Sequence, residues 1–108
     1  MNWIPLSSVK ELEDLLQASK TYLIFKHSTR CPVSFAAKKR FEMEWAADDL
    51  PIDAYYLDLI EHRAVSNLIE DKLGVKHQSP QLILVKSGEV LHHTSHTSIS
   101  LKKVKEHI

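Results

Sequence analysis

Apolar residues recur along the chain with two different spacings, which predict where helices and strands lie. Four of them follow the spacing of an amphipathic helix that runs to about Ala18, namely Val9, Leu12, Leu15 and Leu16. Ser8 followed by Glu11 is a capping-box signature for the start of that helix. Residues 21–26, TYLIFK, are rich in β-branched and aromatic types without clean alternation, which predicts a central strand covered on both faces.

The patterns around this strand predict an edge strand and a long helix. Residues 3–6 form a short apolar segment, and Pro5 confines such a strand to the edge of a sheet. A helix predicted over 33–45 directs four apolar side chains to one face: Val33, Ala37, Phe41 and Trp45. The cluster DDLP at 48–51 predicts the turn that follows.

The second half of the chain continues the alternation of strands and helices. A strand is predicted over 52–59, and a helix that Gly74 ends carries Val65, Leu68, Ile69 and Leu73. Strands over 82–85 and 90–93 form a hairpin, and a last helix carries Leu101, Val104 and Ile108. This order predicts an α/β fold with a mixed central sheet flanked by helices on both faces, in one domain spanning residues 1–108.

The 108 residues include 14 basic and 14 acidic side chains, so the formal net charge is zero. Without a positive field there is no general electrostatic reason to expect binding to nucleic acid or to an anionic membrane. No apolar run reaches membrane-spanning length, and residues 1–5 have neither the basic nor the apolar region of a signal peptide. We therefore expect a cytoplasmic protein without nucleic-acid or membrane partners, and a monomer as the default.

The only cysteine, Cys31, stands directly before Pro32 at the start of the predicted long helix. Proline is favoured at the first helical position because its missing N–H would lack a partner there. The other free N–H groups and the helix dipole favour a thiolate over a thiol, and Lys26, His27 and Arg30 add positive charge nearby. One cysteine permits no internal disulfide, so redox chemistry at this thiol involves the sulfur of a second molecule.

The chain resembles thioredoxin-like proteins over nearly its whole length. Two features carry the resemblance: Cys31-Pro32 after the central strand, and Ser79-Pro80 directly before the hairpin. The resemblance implies a thioredoxin-like fold in which Pro80 is cis and lies against the active-site sulfur. Where thioredoxins have the second cysteine of Cys-x-x-Cys, this chain has Ser34, so exchange would stop at a mixed disulfide until an external thiol arrives.

Three segments also resemble the monothiol bacilliredoxins, thioredoxin-like proteins of the bacillithiol system. They are HSTRCPVS at 27–34, WIPL at 3–6 and SPQ at 79–81. The resemblance implies a thiol–disulfide oxidoreductase that uses Cys31 to remove bacillithiol from mixed disulfides with client proteins. Its partners would be bacillithiol, as a thiol co-substrate, and bacillithiolated clients, and no tightly bound cofactor is implied.

The same resemblance implies residues that bind the substrate. Arg30 is the best placed to bind the malate carboxylates of bacillithiol, with His27 and Lys38 behind it, although a solvated charge is the favoured interpretation of Lys38. Ser79 and Pro80 would align the incoming disulfide, with the Ser79 N–H as a donor.

Two residues are expected to support the catalytic loop. Pro32 would start the helix, and Ser34 would donate its hydroxyl to the thiolate of Cys31. The alternative for Ser34 is an ordinary residue in the first turns of a helix.

A cluster of histidines, His92, His93 and His96, raises the question of a metal site. Neighbouring residues on a strand point to opposite faces, whereas a metal needs ligands that converge. We therefore expect no metal site here.

Two other functions remain open from the sequence. One is a monothiol glutaredoxin-like iron–sulfur carrier, although those proteins carry Cys-Gly-Phe-Ser and this chain has Pro32 in place of the glycine. The other is a non-catalytic thioredoxin-fold module in which Cys31 is structural or serves as a redox sensor.

Overall fold

A five-stranded mixed sheet forms the middle layer of the protein, which a computed structural model describes over residues 2–48 and 50–108. Its strands are β1 (Trp3–Pro5), β2 (Thr21–His27), β3 (Asp53–Asp58), β4 (Gln81–Lys86) and β5 (Glu89–Ser95). The helices are α1 (Val9–Leu16), α2 (Pro32–Asp48), α3 (Arg63–Leu73) and α4 (Leu101–Lys105), and a 3₁₀ turn (His96–Ser98) precedes α4. The strand order β1-β3-β2-β4-β5 confirms the central position of β2 and the edge position of β1.

The pairing of β2 with its two neighbours brings three chain segments to one end of the sheet. β2 runs parallel to β3, with His27 opposite Asp58, and antiparallel to β4, with Lys26 opposite Gln81. The Leu59 N–H also donates a hydrogen bond to the His27 carbonyl over 3.0 Å. The segments that follow β2 and β3 therefore lie beside the segment that precedes β4.

Alternate residues of β2 point to opposite faces of the sheet, and each face has its own apolar core. Tyr22 and Ile24 pack with residues of α1 and α3, whereas Leu23 and Phe25 pack with residues of α2 and α4. All four side chains are fully buried. This arrangement confirms the predicted sheet with helices on both faces, and it explains why β2 lacks alternation of apolar and polar residues.

The helices begin and end largely where the sequence indicates. Ser8 Oγ accepts a hydrogen bond from the Glu11 N–H over 3.1 Å at the start of α1. The Glu11 carboxylate in turn accepts from the N–H and the hydroxyl of Ser7. Gly74 follows α3 with a φ of 68°, a left-handed conformation that glycine adopts without steric cost. None of the helices in the described ranges is both long and apolar enough to cross a membrane.

Two expected positions differ from the structure, and a third lies outside the described residues. Val33 is 47 % exposed, and the inner face of α2 instead consists of Ser34, Ala37, Phe41 and Trp45. Ala37 lies four residues before Phe41, and Ser34 lies three residues before Ala37. Ser34, the residue after Val33, therefore takes the inward position predicted for Val33. Ile108 is exposed because α4 ends at Lys105, and Asp49 of the predicted turn lies outside the described residues.

Candidate active site

Cys31 lies at the junction between the loop after β2 and helix α2, and it is partly exposed. Its N–H donates to the Ser28 carbonyl over 3.2 Å, and its carbonyl accepts from the Phe35 N–H over 3.1 Å. The second bond closes the first turn of α2, and Pro32 is the first residue of that helix. The thiol thus stands at a helix N-terminus, as predicted.

Ser34 is fully buried beneath this loop. Its Oγ accepts a hydrogen bond from the Ser28 N–H over 3.1 Å and lies 2.7 Å from His27 Nδ1. In the short contact either the hydroxyl donates to Nδ1 or the Nδ1–H donates to Oγ, according to the tautomer of His27. The described partners of Ser34 are the loop backbone and His27, and the role of its hydroxyl toward the sulfur of Cys31 stays a prediction.

His27 is buried under the Cys31 loop, with 2 % of its surface exposed. The ring of Phe35 lies edge-on to it with ring centres 5.5 Å apart, and the ring centre of Tyr56 is 5.6 Å away. Burial lowers the pKa of His27, and the nearby Lys38 lowers it further. A lowered pKa favours the neutral ring, and the part of His27 in substrate binding stays a prediction.

Lys38 forms a half-buried cluster with Trp3, Glu42 and Tyr56. Glu42 Oε2 accepts from Lys38 Nζ over 2.8 Å and from the Trp3 Nε1–H over 2.6 Å. The ammonium lies over the rings of Trp3 and Tyr56, 5.7 Å and 5.4 Å from their centres. Lys38 therefore has partners within the protein, whereas the sequence favours a solvated charge at this position.

Exposed residues flank Cys31 along the chain, a basic one before it and apolar ones after it. Arg30 is exposed directly before Cys31, where the sequence predicts a cation. Val33 and Phe35 are 47 % and 63 % exposed. The spacing of apolar residues does not predict an exposed Phe35 near the thiol. The only indication in the sequence is that Phe35 directly follows Ser34.

The bond between Ser79 and Pro80 is cis, as the resemblance to thioredoxin-like proteins implies. Pro80 is buried, and its carbonyl accepts from the His96 N–H over 3.0 Å. Ser79 is partly exposed, but its Oγ is buried and has no hydrogen-bond partner within the described ranges. Because β4 is antiparallel to β2, both residues lie at the end of the sheet that carries the Cys31 loop.

Lys26 is fully buried and lies on the opposite face of β2 from His27. Its Nζ is 2.7 Å from Nδ1 of His77, and burial lowers the pKa of Lys26 to about 8. The sequence places its charge near the thiol but gives no sign of this partner. The available signal is a lysine inside a strand predicted to be covered on both faces.

The histidines of β5 do not converge on one point. His92 is half-buried and His93 is exposed, as expected for neighbours on a strand. The ring of His92 stacks on that of His107 with ring centres 4.4 Å apart. Within residues 2–48 and 50–108, no group of three or more histidine, cysteine, aspartate and glutamate side chains is placed to hold a metal ion.

Comparison with solved structures identifies the class of protein. One structure, described as having a thioredoxin fold, is 32 % identical, superposes with a TM-score of 0.83, and covers 95 % of this chain and 90 % of its own. Thioredoxin from Malassezia sympodialis (16 % identity, TM-score 0.73) covers 97 % of this chain and 86 % of its own. Thioredoxin from Trypanosoma brucei brucei (16 % identity, TM-score 0.71) covers 88 % and 79 %. The protein has the thioredoxin fold, here with a single thiol.

A family model described as Monothiol bacilliredoxin BrxC matches residues 4–104. The match spans the Cys31 loop and the Ser79-Pro80 segment. The chain belongs to the monothiol bacilliredoxin family, which confirms the resemblance seen in its sequence. Family and fold together support a thiol redox function.

Proposed function

We propose that this protein is a thiol–disulfide oxidoreductase that removes bacillithiol from protein mixed disulfides through Cys31. One observation carries the proposal: the chain has a reactive-site cysteine but no second cysteine at the resolving position. Cys31, the only cysteine of the sequence, is partly exposed at the start of α2, and the position of a resolving thiol is taken by the buried Ser34. Such a site can accept a mixed disulfide but needs an external thiol to release it.

The exchange requires two thiolate attacks. The Cys31 thiolate attacks the bacillithiol sulfur of the client mixed disulfide, a new S–S bond forms, and the client cysteine leaves as a thiolate that takes up a proton. A second bacillithiol thiolate then attacks the bacillithiol sulfur on Cys31, restoring the Cys31 thiolate and forming bacillithiol disulfide. The client is reduced, the bacillithiol is oxidised, and the protein returns to its starting state.

Three surfaces of the site suit this substrate. Arg30 is exposed beside the thiol, and its guanidinium can bind the malate carboxylates of bacillithiol. Val33 and Phe35 provide an apolar rim for the client chain. The segment that ends in Ser79 and Pro80 lies at the same end of the sheet and is placed to align an extended disulfide substrate.

Family membership further supports a cytoplasmic site of action, since bacillithiol is the thiol of that compartment in the bacteria that make it. We propose that the chain works there as a single-domain monomer with bacillithiolated proteins as its clients. Bacillithiol serves as a co-substrate and not as a resident cofactor.

Intact-mass spectrometry tests the proposal directly. We expect wild-type protein incubated with bacillithiol disulfide to gain one bacillithiol, faster than it gains glutathione from glutathione disulfide, and to lose it again to free bacillithiol. Cys31→Ser should gain neither. An unmodified Cys31, or equal rates with the two disulfides, contradicts the proposal.

The role of Arg30 is tested in the same assay. Arg30→Gln should slow bacillithiol transfer about tenfold, because a charge-assisted hydrogen bond to a carboxylate is lost. Arg63→Gln removes an exposed arginine at the start of α3 and serves as the matched control. Equal rates for the two variants exclude Arg30 from bacillithiol recognition.

A further inference from the structure

Lys26 is a buried charge that the proposed exchange steps do not use. Its side chain is fully buried on the face of β2 that carries Tyr22 and Ile24. Burying an ammonium is costly unless it is hydrogen-bonded, and Lys26 Nζ lies 2.7 Å from His77 Nδ1. His77 is thus the described partner that compensates for the burial of this lysine.

His77 belongs to the segment between α3 and β4, here called the 75–80 loop. Its N–H donates to Glu70 Oε1 on α3 over 2.9 Å. At the end of the loop, Gln81 Nε2 donates to the Lys76 carbonyl over 3.0 Å. Contacts from β2, α3 and β4 therefore converge on two adjacent residues of the loop.

The hydrogen bond defines where the protons lie. An ammonium has donors only, so His77 Nδ1 accepts and the ring proton of the neutral histidine is on Nε2. Burial lowers the pKa of His77 below its ordinary 6.5, with Lys26 and Arg63 lowering it further and Glu70 opposing them. Burial lowers the pKa of Lys26 to about 8, and Glu70 again acts in the opposite direction. Near pH 7 the pair is a charged lysine and a neutral histidine.

The pair joins the two segments that meet at the candidate active site. Lys26 stands near the end of β2, from which the chain continues to Cys31. His77 stands in the 75–80 loop, whose last two residues are those proposed to align an incoming disulfide. The bond between the two side chains therefore fixes this loop against the strand that leads to the thiol.

We propose that Lys26 is a positioning residue, which through its hydrogen bond to His77 holds the 75–80 loop where it aligns a substrate disulfide with Cys31. This inference rests on the proposed function, because it assigns the loop a part in disulfide exchange. Lys26 does not touch the reacting sulfur atoms in this role. It acts on how a disulfide is presented and leaves the reactivity of the thiolate alone.

Two reactions of Cys31 separate these effects. Alkylation by iodoacetamide reports the reactivity of the thiolate and needs no aligned substrate. Transfer from a bacillithiol–peptide mixed disulfide needs the loop. We expect Lys26→Met to keep the wild-type alkylation rate across pH 6–9 and to slow the transfer about tenfold, since small misplacements of reacting groups cost this much or more.

The matched control is Lys76→Met, which removes an exposed lysine from the same loop and leaves the backbone carbonyl of residue 76 to Gln81. It should react like the wild type in both assays. Lys26→Met with a wild-type transfer rate overturns the proposal, and so does an equal loss in both reactions, which would place the effect on the thiolate.

Nuclear magnetic resonance of the wild-type protein provides a measurement that does not depend on a variant that folds. The ¹⁵N shifts of His77 should show a neutral ring protonated on Nε2 at pH 7, and protonation on Nδ1 overturns the proposal. If wild type transfers no bacillithiol, the proposed function fails. The comparison of Lys26→Met with Lys76→Met is then made with a glutathione–peptide mixed disulfide, which tests the inference separately.

Discussion

Ser34 stands where dithiol thioredoxins have their second cysteine, and its surroundings decide what its hydroxyl does. The side chain is fully buried, with the Ser28 N–H at 3.1 Å and His27 Nδ1 at 2.7 Å. Through these two contacts the hydroxyl connects the first turns of α2 to the Cys31 loop and to the end of β2. Ser34 therefore holds in place the loop that carries Cys31.

Replacing Ser34 tests this structural role. Ser34→Ala leaves the Ser28 N–H and His27 Nδ1 without their described partner, so the free energy of unfolding should fall by about 1–3 kcal/mol. Urea denaturation measures the change, and Ser98→Ala, at an exposed position, is the matched control. A loss no larger than that of the control would show that the hydroxyl contributes nothing to stability.

A double-mutant cycle with His27→Phe then isolates the contact. If the Ser34–His27 bond carries the effect, the two substitutions should be non-additive by at least about 0.5 kcal/mol. Additive losses contradict the pairing and point to separate causes.

At the scale of elements, the ends of helices and turns show where the backbone itself limits the sequence. Gly74 has a φ of 68°, and a Cβ added there would meet nothing within 4 Å. Gly88 has a φ of 81°, and a Cβ there would lie 3.0 Å from the Leu16 carbonyl oxygen. The first glycine is required by its conformation alone, the second by conformation and by space.

This difference predicts a ranking of substitutions. Gly74→Ala should lower the free energy of unfolding by about 1 kcal/mol, because an alanine is strained in the left-handed region. Gly74→Asn should cost less, since asparagine tolerates that region, and Gly88→Ala should cost more than either. Chemical denaturation followed by tryptophan fluorescence gives the order. A Gly74→Ala protein as stable as the wild type would contradict the left-handed helix end.

Buried titratable groups in several parts of the protein make its free energy of unfolding depend on pH. Burial lowers the pKa of His27, His77 and His92, so the unfolded chain binds protons more readily as the pH falls below 6.5. Burial also lowers the pKa of Lys26 from 10.5 to about 8 and raises that of Tyr22 from 10.0 to about 12. In each case burial disfavours the charged form of the group in the folded protein, so the group favours unfolding at a pH where it would be charged in the unfolded chain.

The directions of these pKa shifts predict how the free energy of unfolding changes with pH. Between pH 8 and about 10 the unfolded chain holds more protons at Lys26 than the folded one, so the free energy of unfolding should rise with pH, by up to ~3 kcal/mol from this group. Above pH 10 the folded chain keeps its proton at Tyr22 longer, and stability should fall again. Below pH 6.5 the histidines should lower it.

Urea denaturation from pH 5 to 11 measures this profile, with a Cys31→Ser background that prevents oxidation. The rise between pH 8 and 10 should vanish in Lys26→Met, and Lys76→Met should retain it. A rise of equal size in both variants would assign it to another group.

Much of the fold follows from local patterns in the sequence. The spacing of apolar residues determines the order of strands and helices, the lack of alternation in residues 21–26 places β2 at the centre, and Pro5 places β1 at the edge. Cys31-Pro32 marks a thiol at a helix start, and the Ser79-Pro80 dipeptide with its family resemblance indicates the cis bond. Apart from the cis bond, which only the family resemblance implies, these features depend on residues close together along the chain, where periodicity, capping and proline chemistry act.

The pairing of the polar side chains around the site depends on the tertiary structure and cannot be predicted from local sequence. Lys26 and His77 are 51 residues apart, and their bond depends on the register between β2 and β4 and on the path of the loop between α3 and β4. Ser34 takes the inner face of α2 because of the exact rotation of that helix against the sheet. A difference of one residue in register or rotation moves a side chain from solvent to the core, and no local pattern specifies that difference.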